Sequence, residues 1–439
     1  MLAEVSPPPR VAELSKMLVA STLASAAAGG RDSLVTHVRR LVEATPVERG
    51  ATVWFSRGGP VSVPEAARAN STSSDHAAAD DSDLRLGTHA GTAAVAGALA
   101  AAEWSSASGA EVVAAVAAGY EAAARLGSSV GGELEAKGFH VCILAAFAAA
   151  VAAARVLGST CEQLESAVSL TAGTAAGLRI GSRSDLRSYQ AGAAVHAGVA
   201  AALAAVSGVR VEGDVLGGPG GFLEAYGADG EIDDARAGGW VLEEVLLVKL
   251  WPGAYMFSAV VDAAVSAARA LAADADEISS IVVSGPAVRD VRPVTAVATV
   301  TEALVSVSYY AAAAVAKRAF SWSALSEEMV RDPSVQRLLP LVVFTGAGDD
   351  DYRWRFGATV TVTSSRGGSE TRRVDFPAGS AVRGLGWAEV DAKFRALTAG
   401  VGLSSGVLEQ TLDRVHRLEE LSGAAALLEP LRAPAGRPR

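Results

Sequence analysis

Cysteine is nearly missing from this chain of 439 residues. Cys142 and Cys161 are the only two, and neither sits in a CxxC or Cys/His ligand spacing. A disulfide framework and a thiolate metal site are therefore excluded as organising features. Both are expected to act as small buried hydrophobes in a reducing, cytoplasmic setting. Aromatic residues make up only 5% of the chain, so helices must pack closely through small side chains. Basic charge is short as well: the net charge is −10, which argues against nucleic acid or an anionic membrane as partner. Within that basic set lysine is rare, with Lys16, Lys137, Lys249, Lys317 and Lys393 the whole complement. Long lipid-type runs are lacking too. "VCILAAFAAAVAAA" (141–154) is short and alanine-rich for a membrane span. "MLVASTLASAAAGG" follows a segment with Glu4 and Glu13 and no basic leader, so it reads as a first amphipathic helix of a soluble protein. No GxSxG, P-loop or dinucleotide fingerprint is present, and "GGPGG" (217–221) reads as a loop.

What is present is helix. Segments 91–104, 109–127, 143–158, 161–177 and 192–208 are apolar, Ala- and Gly-rich, and bounded by Gly or Ser. The texture changes after "LWPGAYMF" (250–257). Strands are expected at 278–286, 339–346, 358–365 and 371–379, with 358–365 alternating strictly and an "RGG" turn joining the last pair. A helix is expected over 300–319, and two more close the chain. The expectation is a mainly α protein, a large all-helical domain with a smaller α+β domain inserted late. Its bounds are 1–250 for the helical domain, 251–382 for the α+β domain and 383–439 for helices rejoining the first, with a disordered tail from about 431.

One stretch stands apart from this apolar background. "DHAAADDSDLRLGTHAG" (75–91) holds Asp75, Asp80, Asp81, Asp83, His76 and His89. A helix over 75–83 would put His76, Asp80 and Asp83 on one face, where crowded acids favour proton transfer. A solvated helix start capped by Ser74 or Asp75 is the plainer reading. A metal held by His76, Asp80 and His89 lacks a familiar ligand spacing. "KGFH" brings Lys137 and His140 to a glycine before a buried helix, and "SDLRSYQAG" sets Arg187 before a helix, a natural anion site. Lys249 adjoins Trp251 and Pro252 where the texture changes, and Tyr309 and Tyr310 lie on a later helix.

Taken in order, "ARANSTSSDHAAADD", "GTHAG", "GYEAAARLG", "AKGFH", "LTAGTAAGL", "DLRSYQAGAAVHAG", "GGPGGFLEAYG", "VKLWP" and "DAKF" resemble the MmgE/PrpD family, over roughly residues 11–420. That family includes 2-methylcitrate dehydratase, cis-aconitate decarboxylase and iminodisuccinate epimerase. The resemblance implies a helical domain with an α+β lid, a homodimer, a small-molecule carboxylate substrate, and no metal or organic cofactor. It also implies that His89, His140 and Lys249 occupy active-site positions, with Tyr309 or Tyr310 near the lid tyrosine. Two positions depart. Ala79 stands where the family's acidic motif opens with Asp, with Asp83 at its Thr, and Arg187 stands for a family lysine. The implied chemistry is lyase chemistry, with dehydration of a hydroxy acid or a related carboxylate or carbonyl metabolite favoured, in specialised or secondary metabolism. Decarboxylation, isomerisation or epimerisation in the same pocket, and a non-catalytic binding role, are the alternatives. In this expectation His140 or Asp81 is the base and His89 or a tyrosine the acid. Arg187 and Lys249 clamp charge, and Asp83, His76 and Lys137 are further substrate contacts.

Overall fold

A computed structural model describes residues 6–227, 239–289, 291–346 and 357–432. Most of the expected tail therefore lies outside the described residues. Two compact units divide the chain: residues 1–248 with 386–439, and residues 249–385. The protein is mainly α, and among the described residues its short strands form one small ladder and one four-stranded sheet.

In the first unit the helices are α1 (Pro9–Gly29), α2 (Ser33–Glu43), α3 (Val63–His76), α4 (Ala90–Ser105), α5 (Gly109–Ala136), α6 (Cys142–Val156), α7 (Cys161–Ala172) and α8 (Leu186–Val206). α6 is the axis: it packs against α4, α5, α7 and α8, and all but one of its residues are buried. Small side chains make this possible. A Cβ at Gly119 of α5 would collide with the backbone carbonyl of Ala148 on α6, so only glycine permits that approach. Capping boxes start α5 (Ser108 with Glu111) and α7 (Thr160 with Gln163), closing orphan amides where the sequence places Ser or Thr three residues before Glu or Gln. α1 and α8 have the length and apolar composition of a membrane span, yet 83% of the apolar window of α1 is buried inside this protein and half of that of α8. Helices Trp387–Thr398 and Ser405–His416 return to pack on α1. Cys142 is buried as expected; Cys161 is not, because it sits at the exposed first turn of α7.

The acidic stretch is not the helix that its spacing suggested. α3 stops at His76, Ala78 takes a left-handed φ of 50°, and residues Asp81–Asp83 form strand β1. β1 pairs antiparallel with β2 (Leu246–Val248), Asp81 opposite Val248. A left-handed alanine costs about 1 kcal/mol, and here it reverses the chain so that successive Asp side chains leave a strand rather than a helix face.

The second unit carries a four-stranded sheet in the order β4-β3-β5-β6: β3 (Ile278–Ser284), β4 (Val342–Thr345), β5 (Ala358–Ser364) and β6 (Ser369–Val374). β3 and β4 run parallel and the other pairs antiparallel. β5 alternates buried and half-buried residues along its whole length, as its Val/Thr pattern requires. Helix Ser258–Leu271 covers β5 and β6 and packs against helix Val307–Lys317. The helix expected over 300–319 is broken after Leu304, where Ser306 caps a new start.

Candidate active site

The site is assembled in the first unit by the turn after α3, the start of α4, the start of α6 and the start of α8. Asp81 fixes its geometry. Fully buried, it accepts the amides of Gly91 and Thr92, each at 2.8 Å. These are two of the orphan donors of α4, whose N-cap residue, His89, offers no side-chain cap of its own. Glycine is required at 91 because a Cβ there would meet the Asp81 carboxyl and Leu18. Burial, and Asp80 beside it, push the Asp81 carboxyl above the usual range, while His89 and the two amides pull it back. With both oxygens occupied in this way, Asp81 anchors a helix.

That anchor presents His89. Its Nδ1 lies 2.6 Å from the Asp81 backbone carbonyl, 3.2 Å from Asp80 Oδ2 and 3.3 Å from Ser82 Oγ. A carbonyl can only accept, so Nδ1 carries the proton and the ring's lone pair is on Nε2. Asp80, with no solvent exposure, faces the protonated nitrogen with a carboxylate oxygen.

His140 has the opposite arrangement. Gly138 takes a φ of 88° and lets the chain turn into α6, where the amide of Cys142 donates to His140 Nδ1 at 3.1 Å. An amide can only donate, so Nδ1 holds the lone pair and Nε2 carries the hydrogen. Burial first, with Arg187 and the neighbouring His89 adding to it, lowers its pKa to about 4 against the opposing pull of Asp75, so the ring is neutral at pH 7. A neutral ring with Nε2–H is a hydrogen-bond donor, not a base. The same burial pushes the neighbouring Cys142 thiol up, leaving it protonated.

Arg187 lies in the first turn of α8. Its Nη1 is 3.0 Å from Asp75 Oδ2, and its Nη2 donates to the Asp75 backbone carbonyl at 2.9 Å. Asp75, His89 and His140 line one cavity of about 10 Å³, closed by Ser71, Thr92, Cys142 and Ala191, with room for about one water. Among the described residues, Asp75, Asp80 and His89 form the one group whose ligand atoms could share a cation, all within 4.8 Å of one another. Arg187 already stands against Asp75, however, and Nδ1 of His89 is turned to Asp81 and carries a proton.

The remaining expected residues lie elsewhere or are committed. Asp83 is buried and paired with Arg85, at 2.7 Å. His76 faces Asp32 at 3.1 Å, and Lys137 is an exposed C-cap of α5. Tyr309 and Tyr310 are buried in the second unit. The Tyr309 hydroxyl donates to the Ala324 carbonyl at 2.5 Å, with its pKa pushed by burial and Asp332 to about 12. The Tyr310 hydroxyl is held between the Pro252 carbonyl and the Ala254 amide. Lys249 follows directly on Val248, the ladder partner of Asp81, and opens the second unit. A larger cavity in that unit, of about 460 Å³, is lined by Phe257, Val291, Arg292, Glu302, Val305 and Phe344 among others, and no His, Asp or Cys lines it among the described residues. Asp75 is the functional candidate that residue spacing read only as a helix cap, and Asp80 was grouped by spacing with His76 and Asp83 rather than with His89 alone, because their roles depend on Arg187 and on the turn at Ala78. Lys393 stood out only as one of five lysines and as part of "DAKF". It is buried and donates to Ser21 Oγ at 2.7 Å and to the carbonyl of Ala79, immediately before Asp80.

A mainly α unit that sets a buried and a half-buried histidine of opposite tautomer among carboxylates has the layout of an acid–base enzyme. Residues 3–234 match the MmgE/PrpD N-terminal domain and residues 251–415 the MmgE/PrpD C-terminal domain. The chain belongs to the MmgE/PrpD family, a family of dehydratase-like lyases. No curated protein matches the chain.

Proposed function

We propose that the chain is a cofactor-independent lyase that removes water from a hydroxy acid or a related carboxylate or carbonyl metabolite, with His89 as its proton-transfer group. The observation that carries this reading is the pair of opposed tautomers on one cavity: His89 with its lone pair on Nε2 and His140 with hydrogen on Nε2. In the reaction Nε2 of His89 takes the proton next to a carbonyl, and Asp80 stabilises the imidazolium. The electron pair moves to the carbonyl oxygen, toward which the His140 Nε2–H donates. As the double bond forms, the hydroxyl leaves with the proton that His89 returns, and the products are water and an unsaturated compound. His140 is not the acid, because losing its only ring hydrogen would leave an imidazolate. One histidine serving both steps supports departure of proton and hydroxyl from the same face. Returning the proton to carbon instead would give isomerisation or epimerisation in the same pocket.

The family likeness and the free cysteines support a homodimer working in a reducing cytoplasmic compartment. Light scattering on the purified protein tests the assembly. The reaction is tested by incubating the enzyme with a panel of small 2- and 3-hydroxy acids in D₂O and following water loss and deuterium at carbon by NMR. Turnover that falls by about 10²-fold or more in His89→Gln supports the reading. Turnover unchanged in that variant refutes it.

A further inference from the structure

Lysine is rare in this chain, and one of its five lysines is buried behind the acidic turn. Lys393 is 1% exposed and lies on helix Trp387–Thr398, which packs on α1. Its Nζ donates to Ser21 Oγ of α1 at 2.7 Å and to the backbone carbonyl of Ala79. Burying an ammonium carries a desolvation cost that a methionine of similar length would not, so packing alone does not account for a lysine here. What the ammonium holds does. Ala79 stands between Ala78, whose φ of 50° is unfavourable for a residue with a Cβ, and the fully buried Asp80. Such a backbone position persists only where its surroundings fix it. Before the turn, the Ala78 amide donates to the Asp75 carbonyl at 3.1 Å. After it, Asp81 is tied to the amides of Gly91 and Thr92. Between these two ties, Lys393 holds the Ala79 carbonyl from outside the turn. A charge-assisted bond there fixes the peptide joining Ala79 to Asp80, and so the direction in which the Asp80 side chain leaves the backbone. That side chain ends 3.2 Å from His89 Nδ1.

We propose that Lys393 is a positioning residue for the reaction proposed above, on which this step rests: through the Ala79 carbonyl it sets the Asp80 carboxylate against Nδ1 of His89 and so fixes the ring that transfers the proton. Helix Trp387–Thr398 thus shapes the site without contributing a side chain to the cavity lining among the described residues.

The test compares the ring ¹⁵N and Nδ1–H resonances of His89 with the ring resonances of His140 in full-length protein. A lysine that only supports the fold would disturb both rings or neither. Lys393→Met is expected to move the His89 signals and leave those of His140 in place. Ser21→Ala removes the other bond of Lys393, keeps the one to Ala79, and is expected to move neither ring. In Asp80→Asn protein, Lys393→Met is expected to add nothing further to the His89 shift, because its effect passes through Asp80. Should Lys393→Met fail to fold, Lys393→Gln, shorter and uncharged, takes its place with the same expectation. On the hydroxy acid that the panel identifies, the lysine variant should lower kcat by about tenfold or more and change KM less. His89 signals that stay in place, that move only together with those of His140, or that move as far in Asp80→Asn protein overturn the inference and leave the lyase reading standing. His89 signals that move alone while kcat is unchanged uphold the Lys393 contact and refute the proposed function.

Discussion

Lowering the pH should destabilise the helical unit through His140, and the size of the effect follows from its surroundings. The ring is buried, accepts the Cys142 amide and is held neutral, with a pKa of about 4 in place of the ordinary 6.5. Unfolded, the same ring takes up a proton near pH 6.5. A folded-state pKa below the unfolded one means that protons bind preferentially to the unfolded chain. The contribution is therefore fully present above about pH 7, is lost as the pH falls from 6.5 toward 4, and levels off below that. The gap between the two values corresponds to about 3 kcal/mol at the acid limit. His140→Gln isolates this effect, because the amide oxygen can accept from Cys142 while the NH₂ replaces the Nε2–H, and glutamine does not titrate. Urea denaturation of both proteins at pH 7 and pH 4.5 should find the variant within about 1 kcal/mol of wild type at pH 7 and more stable by about 2 kcal/mol at pH 4.5. The same pH dependence in both proteins would show that His140 is not the buried neutral ring described.

Asp81→Asn should lower stability by about 1–3 kcal/mol, read as a reduced Tm, because one of the two α4 amides loses its acceptor. An unchanged Tm would remove Asp81 as the helix anchor. Lys393→Met should also lose about 1–3 kcal/mol, since Ser21 and the Ala79 carbonyl lose their donor in a buried place. Unaltered urea unfolding would contradict this. Lys249→Arg should keep kcat within a fewfold of wild type on whichever substrate the panel identifies, because His89 carries the proton. A fall of about 10²-fold would assign that transfer to Lys249.

The helical unit was readable because its signals are local. Long Ala and Gly runs bounded by capping residues give α4 to α8, and the Val/Thr alternation gives β5 directly. The site was readable only in part. His89, His140 and Arg187 stand out as ionisable residues beside apolar helix starts, and the fold gathers them at one cavity or its edge. Its carboxylates were misread for a physical reason. Helix spacing extrapolated across 75–83 ignores the left-handed Ala78, and a three-residue strand such as β1 is too short to announce itself without β2, about 160 residues further on. Asp75 gains its meaning from Arg187, 112 residues away, and Ala79 from Lys393, 314 away. Nor did sequence reveal which nitrogen of each histidine bears the hydrogen, since the Asp81 carbonyl and the Cys142 amide decide that. The tyrosines were attractive as acids by residue type, but both hydroxyls are bonded to backbone in the second unit.

Opposite tautomers make His89 a base and His140 a neutral donor. This is tested most directly by the ¹⁵N chemical shifts of the two rings at pH 7 in histidine-labelled protein. His140 should be unprotonated at Nδ1 and protonated at Nε2, still neutral at pH 5, and His89 should carry its hydrogen on Nδ1. A His140 hydrogen on Nδ1, or the same tautomer on both rings, would contradict it.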